Sequence, residues 1–75
     1  MKRQIAVYDL ETDKLVEEIP LQSMDLEVWR SRLNASEDDP KLYDPYEITQ
    51  ETSDLFPLIE FNFTRYAYYL ECYQD

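Results

Sequence analysis

Thr64-Arg-Tyr-Ala-Tyr-Tyr-Leu-Glu-Cys-Tyr73 decides the fold of this chain, because aromatic side chains dominate it and no glycine or proline interrupts it. It reads as a strand. Alternation sets Tyr66, Tyr68, Leu70 and Cys72 on one face and Arg65, Ala67, Tyr69, Glu71 and Tyr73 on the other. One face can pack on a core while the second shows amphipathic rings to solvent or to a partner. A strand needs neighbours, and two β-rich runs stand upstream, residues 3–10 (Arg-Gln-Ile-Ala-Val-Tyr-Asp-Leu) and 14–21 (Lys-Leu-Val-Glu-Glu-Ile-Pro-Leu). The Glu11-Thr12-Asp13 segment between them has the composition of a hairpin loop. The chain has no glycine, so a left-handed position in that loop falls on Asp13 or a neighbour. Pro20 removes a ladder donor, so the second strand ends there or runs along a sheet edge.

Between these runs the periodicity changes. Ser23 or Asp25 can cap a helix running to about Asn34, with Leu26, Trp29 and Leu33 on one face and Trp29 as the core anchor. Residues 35–48 contain Asp38-Asp39-Pro40 and Asp44-Pro45, two turn signals that predict a structured loop. A second short helix is expected after Thr49, starting near Ser53 or kinked at Pro57, since proline fits only a first helical turn. The expected fold is α+β: residues 1–75 as a single domain, with a small antiparallel sheet (N-terminal hairpin plus C-terminal strand) packed against two short helices.

Composition bounds the function. Seventeen Asp and Glu against seven Lys and Arg give a net charge of -10. Such a chain attracts basic proteins and repels nucleic acid and anionic lipid. Residues 34–60 hold eight of the acids against Lys41 alone. At 44% hydrophobic, with one Trp, three Phe and seven Tyr, the chain has enough apolar mass for a small core despite its charge.

Catalytic chemistry finds few reagents here. There is no histidine for general acid–base work, no glycine for a phosphate cradle, and Cys72 sits beside Glu71, which opposes thiolate formation. Cys72 reads as a core thiol. Paired carboxylates at Glu17-Glu18 and Asp38-Asp39 lack the cleft of a glycosidase and the turn glycine of a calcium loop, so neither an enzyme nor a metal or cofactor site is expected. A lone cysteine suits a reducing compartment, and no apolar signal segment or span is visible, so a cytoplasmic location is expected.

What the acidic segment can do is dock. Tyrosine supplies rigid contact area, and surrounding carboxylates steer a basic partner. The candidate partner-binding residues are Glu37, Asp38, Asp39, Tyr43, Asp44, Tyr46, Glu47, Glu51 and Asp54. Equally, the two tyrosine rings can pack beneath the loop while the carboxylates solvate it.

A chain this short and acidic, opening Ile5-Ala-Val-Tyr-Asp-Leu-Glu-Thr-Asp13, passing through Leu42-Tyr-Asp-Pro-Tyr-Glu-Ile48 and closing Tyr68-Tyr-Leu-Glu-Cys-Tyr73, resembles the small immunity proteins of bacterial polymorphic toxin systems. Those of contact-dependent growth inhibition are the nearest in texture. The resemblance covers most of the chain in size and composition and rests on no shared motif, so it assigns no residue a role. It implies a cytoplasmic protein that binds its cognate toxin, often an RNase or DNase, and blocks its active site or substrate surface. Two other classes fit the composition: a nucleic-acid mimic that inhibits a DNA-binding enzyme, and an adaptor or subunit that uses the tyrosine-rich strand to extend a partner's sheet or form a homodimer.

Overall fold

Two eight-residue strands pair along their whole length, β1 (Lys2–Asp9) and β4 (Tyr66–Tyr73), antiparallel, with Ile5 opposite Leu70 and Val7 opposite Tyr68. These four side chains share one face and are all buried. The computed structural model describes residues 2–22, 25–39 and 41–73. Within them β2 (Leu15–Leu21) lies on the far side of β1 and β3 (Tyr46–Ile48) on the far side of β4, giving a four-stranded antiparallel sheet in the order β2-β1-β4-β3.

The β1–β2 hairpin turns where its composition places a turn. Asp9 accepts hydrogen bonds from the N–H groups of Glu11 and Thr12 at 2.8 and 3.2 Å, and Asp13 takes the left-handed conformation at φ 59°. One extra residue in β2, between the Val7–Glu17 and Tyr8–Leu15 pairs, forms a bulge. Pro20 lies inside β2, an edge strand, where a missing N–H need not break the ladder.

Helix α1 (Leu26–Arg32) starts at Asp25, whose carboxylate accepts the Val28 N–H at 3.3 Å. Ser23, the other candidate cap, lies outside the described residues. Arg30 and Arg32 occupy the last turn, where positive charge complements the helix dipole. Trp29 drops from α1 onto the core face at 6% exposure, with its ring 5.3 Å from that of Phe56. Beyond it, Phe61 and Phe63 stack at 5.2 Å and both meet the Tyr68 ring edge to face, while the Tyr68 hydroxyl accepts the Asn62 N–H at 2.9 Å.

Two expectations need correction. The second helix is only a 3-10 turn, Ser53–Leu55. Pro57 disfavours helical torsions in the residue before it, and Phe56 accordingly sits at φ -128°, ψ 70°, so the turn cannot propagate. Part of the expected loop, Tyr46–Ile48, is a strand on the free edge of β4. It orients Tyr46 and Ile48 toward the core face and Glu47 away from it. The fold is therefore a four-stranded sheet with one helix and a 3-10 turn, more sheet and less helix than the periodicity predicts. Cys72 follows Leu70 on the core face but is only half-buried.

Trp29→Ala removes the largest side chain of the core cluster and is expected to cost about 3–5 kcal/mol, read from urea unfolding. An unchanged midpoint would show that the sheet's core does not depend on the helix.

Candidate functional site

Residues 35–39 and 41–45 close one end of the core, and their shape is set from within. Leu42 is fully buried with φ 55°, a left-handed conformation that costs a residue with a Cβ about 1–2 kcal/mol. Its burial among the core side chains offsets that strain. Three residues earlier, Asp39 is 7% exposed and turns its carboxylate inward. Its two oxygens accept the Tyr43 N–H at 2.7 Å, the Asp44 N–H at 3.0 Å and the Tyr46 hydroxyl at 2.7 Å.

Arg3, 3% exposed on the core side of β1, completes this clasp. Its guanidinium donates to the Lys41 carbonyl and lies 5.7 Å from the centre of the Tyr43 ring. The electrostatics follow the geometry. The Tyr46 hydroxyl, assisted by the Asp44 and Tyr43 N–H groups and the Arg3 charge, holds the Asp39 carboxyl below the usual carboxylate range. Burial, together with the hydrogen bond to Asp39, pushes the Tyr46 phenol up to about 12.

The nine residues singled out from the sequence thus separate into groups. Asp39 and Tyr46 face inward and hold the loop. Glu37, Asp38, Tyr43 and Asp44 are exposed around that clasp, Tyr43 at 49%. Glu47 is exposed on the opposite face of the sheet. Glu51 precedes the 3-10 turn and Asp54 lies within it, where Arg32 reaches across from α1, donating to both Asp54 oxygens at 2.7 and 3.1 Å and to the Glu51 carbonyl at 2.9 Å. That hydrogen bonding lowers the Asp54 pKa and locally neutralises one of the acids. The pair is exposed and acts as a tether more than as a source of stability.

The face of the sheet opposite the helix adds residues the acidic-loop reading left out. Tyr69 stands between Glu47 on β3 and Ala6 on β1, and its ring meets that of Tyr8 edge to face at 5.7 Å. Tyr8, Tyr69, Glu47 and Glu71 line a shallow groove there together with Pro45. The Glu71 charge, followed by burial, raises the Tyr8 pKa. The alternation of residues 65–73 already separates Tyr69 and Glu71 from the core. Their junction with Glu47 required the β3–β4 register.

A family model described as a domain of unknown function, DUF7683, matches residues 2–71. The chain belongs to the DUF7683 family. No curated protein and no solved structure matches it. Among the described residues of this DUF7683 domain, no group of three or more His, Cys, Asp or Glu could hold a metal ion, and no helix is long and apolar enough to cross a membrane. The arrangement offers instead a fixed acidic loop bearing an exposed tyrosine, continuous through Pro45 and Glu47 with a tyrosine-bearing sheet face.

The clasp has two pH signatures. The folded state holds Asp39 below its unfolded value of about 3.9, so its contribution is present above that pH and is lost as pH falls through the lower folded-state value. Asp39→Asn should flatten this acid limb of the stability curve. Tyr46 has the opposite sense: its contribution is complete below its unfolded value of about 10 and is lost as pH rises through about 12. A difference titration of phenolate absorbance between the native protein and Tyr46→Phe should isolate one phenol ionising near 12. A missing phenol that titrates near 10 would mean that Tyr46 does not serve the clasp.

Proposed function

We propose that this DUF7683 domain is an inhibitory binding protein of the immunity type, which takes up a basic cytotoxic nuclease domain, of RNase, tRNase or DNase kind, and covers its active site or substrate surface. One observation carries this reading. Asp39 and Tyr46 satisfy the loop from inside, so Glu37, Asp38, Tyr43 and Asp44 stand outward on a backbone that is already ordered. A nuclease cleft must be positive to hold phosphates, and pre-placed carboxylates meet it with less ordering cost than mobile ones. A net charge of -10 adds long-range steering to the encounter.

In this reading the protein acts by binding and catalyses nothing. It works in the cytoplasm beside its toxin, contacts neither nucleic acid nor membrane, and is a monomer or weak homodimer until the partner arrives. A nucleic-acid mimic asks for carboxylates spaced along one element as phosphates are along a strand. Here they are divided among a loop, a three-residue strand and a 3-10 turn, which favours the toxin reading.

Inducing the C-terminal region of the neighbouring upstream reading frame in a bacterium, with and without this protein, tests the proposal. Killing that this protein alone reverses, with a complex that survives copurification, is the expected result. Toxicity that it cannot relieve, or none, would overturn it. Within such a complex, reversing charge at Glu37, Asp38 and Asp44 together should weaken binding by roughly tenfold or more at low salt and flatten its salt dependence, with the melting curve kept. Asp39 is spared in this variant because its carboxylate holds the loop. Equal affinity at low and high salt would remove the loop from the interface.

A further inference from the structure

Strand β2 ends the sheet, and among the described residues it pairs with β1 alone, leaving one row of backbone groups unpaired, to which Pro20 has no N–H to offer. Its residues Glu17, Ile19 and Leu21 share the core face with Val7, Ile5 and Arg3, while Glu18 and Pro20 share the other face with Ala6 and Gln4. Beneath the core-face residues runs a trench in two sections. The first, of 580 Å³, is apolar, with Ile19, Leu21, Trp29, Phe56, Leu58 and Ile59 among its walls. Leu58 rises from its rim at 97% exposure. The second section, of 400 Å³, shares Ile19 and Ile59 with the first and is bounded by Glu17 and Glu60, with no Lys or Arg lining it.

We infer that the free edge of β2 and the trench beneath it form a docking site for an extended protein segment of apolar-plus-basic pattern. The segment adds to the sheet as a fifth, antiparallel strand. Opposite Glu17 to Leu21 it carries, in turn, a basic residue, a basic residue, an apolar one, any residue and an apolar one. Side-chain alternation sets this order. Residues facing Ile19 and Leu21 drop into the apolar section beside Leu58. The residue facing Glu17 enters the section it shares with Glu60, and the residue facing Glu18 meets that carboxylate on the opposite face.

Charge selects this occupant over a second copy of the chain. Glu18 is the midpoint of β2, so symmetric antiparallel pairing of β2 with its own copy brings Glu18 of one chain directly opposite Glu18 of the other and sets Glu17 opposite Ile19. Like charges opposite one another across a strand pair are unfavourable, and two copies together carry twice a net charge of -10. Glu18 therefore guards the edge against symmetric self-association, and Glu17 and Glu18 leave it open to a basic strand. This inference shares with the immunity reading only the basic character of the partner, and its test needs no toxin, so either can fail while the other stands.

The probe is a capped decapeptide centred on Val-Thr-Val-Lys-Lys, compared with a version carrying Glu for both Lys and one N-methylated on alternate amides. Amide chemical shifts of the labelled protein and the emission of Trp29, the only tryptophan and a wall of the trench, report occupation. Shifts confined to β2 and residues 55–60, with binding about tenfold weaker for the Glu version, are expected. Leu58→Ser and Glu60→Lys, both at exposed positions, should each weaken binding comparably while the melting curve is unchanged. No shift in β2 at millimolar peptide would overturn the proposal. So would equal binding of the N-methylated peptide, which cannot complete a ladder, or dimerisation through the same amides without peptide.

Discussion

The β1–β4 pairing is the constraint on which the rest of this molecule depends. It joins segments from opposite ends of the described chain in a register that sets Ile5 against Leu70 and Val7 against Tyr68, four buried side chains on one face. A slip of one residue would turn that set to the other side of the sheet and bring Ala6 and Tyr69 inward in its place. Everything else attaches to this pair: the hairpin supplies β2 on one flank, the loop supplies β3 on the other, and Trp29 covers the face between them.

The same pair places Arg3 on the core face, one alternation step from Ile5, and so installs a buried cation beneath the acidic loop. A buried charge needs compensation. The Lys41 carbonyl, the Tyr43 ring and the nearby Asp39 carboxylate supply part of it, while the buried Arg3 Nε has no hydrogen-bond partner among the described residues. The loop is acidic in composition, yet one of its acids serves as the acceptor that organises its own backbone. The inward acid spares the outward ones from that task, which is how a turn-rich segment without glycine holds a defined surface. The absence of glycine has a further cost: left-handed torsions fall on Asp13, Asn34 and Leu42, and only the first two are residue types that tolerate them readily.

The three long strands were legible because their patterns repeat over seven or eight residues, and the helix because Leu26, Trp29 and Leu33 recur at its spacing. Short elements were not. Tyr46–Ile48 is three residues downstream of two aspartate-proline turn signals in the sequence, and it is a strand only because β4 offers an unpaired edge at that height. Ser53–Leu55 reads as a helix until Pro57 and the extended Phe56 stop it. The acidic character of the candidate site was plain in composition, but its division was not, since Asp38 and Asp39 are chemically identical neighbours of which only the second faces Tyr46.

By itself the sequence determined the charge of the surface, the aromatic identity of the last strand, the hairpin turn at Asp13 and the anchoring role of Trp29, because each follows from local residue type and periodicity. Only the tertiary structure decided which acid turns inward, which tyrosines meet across the open sheet face, and which strand edge remains free. Those are outcomes of register and closure. They depend on where segments far apart in the chain meet, and no local pattern encodes that meeting.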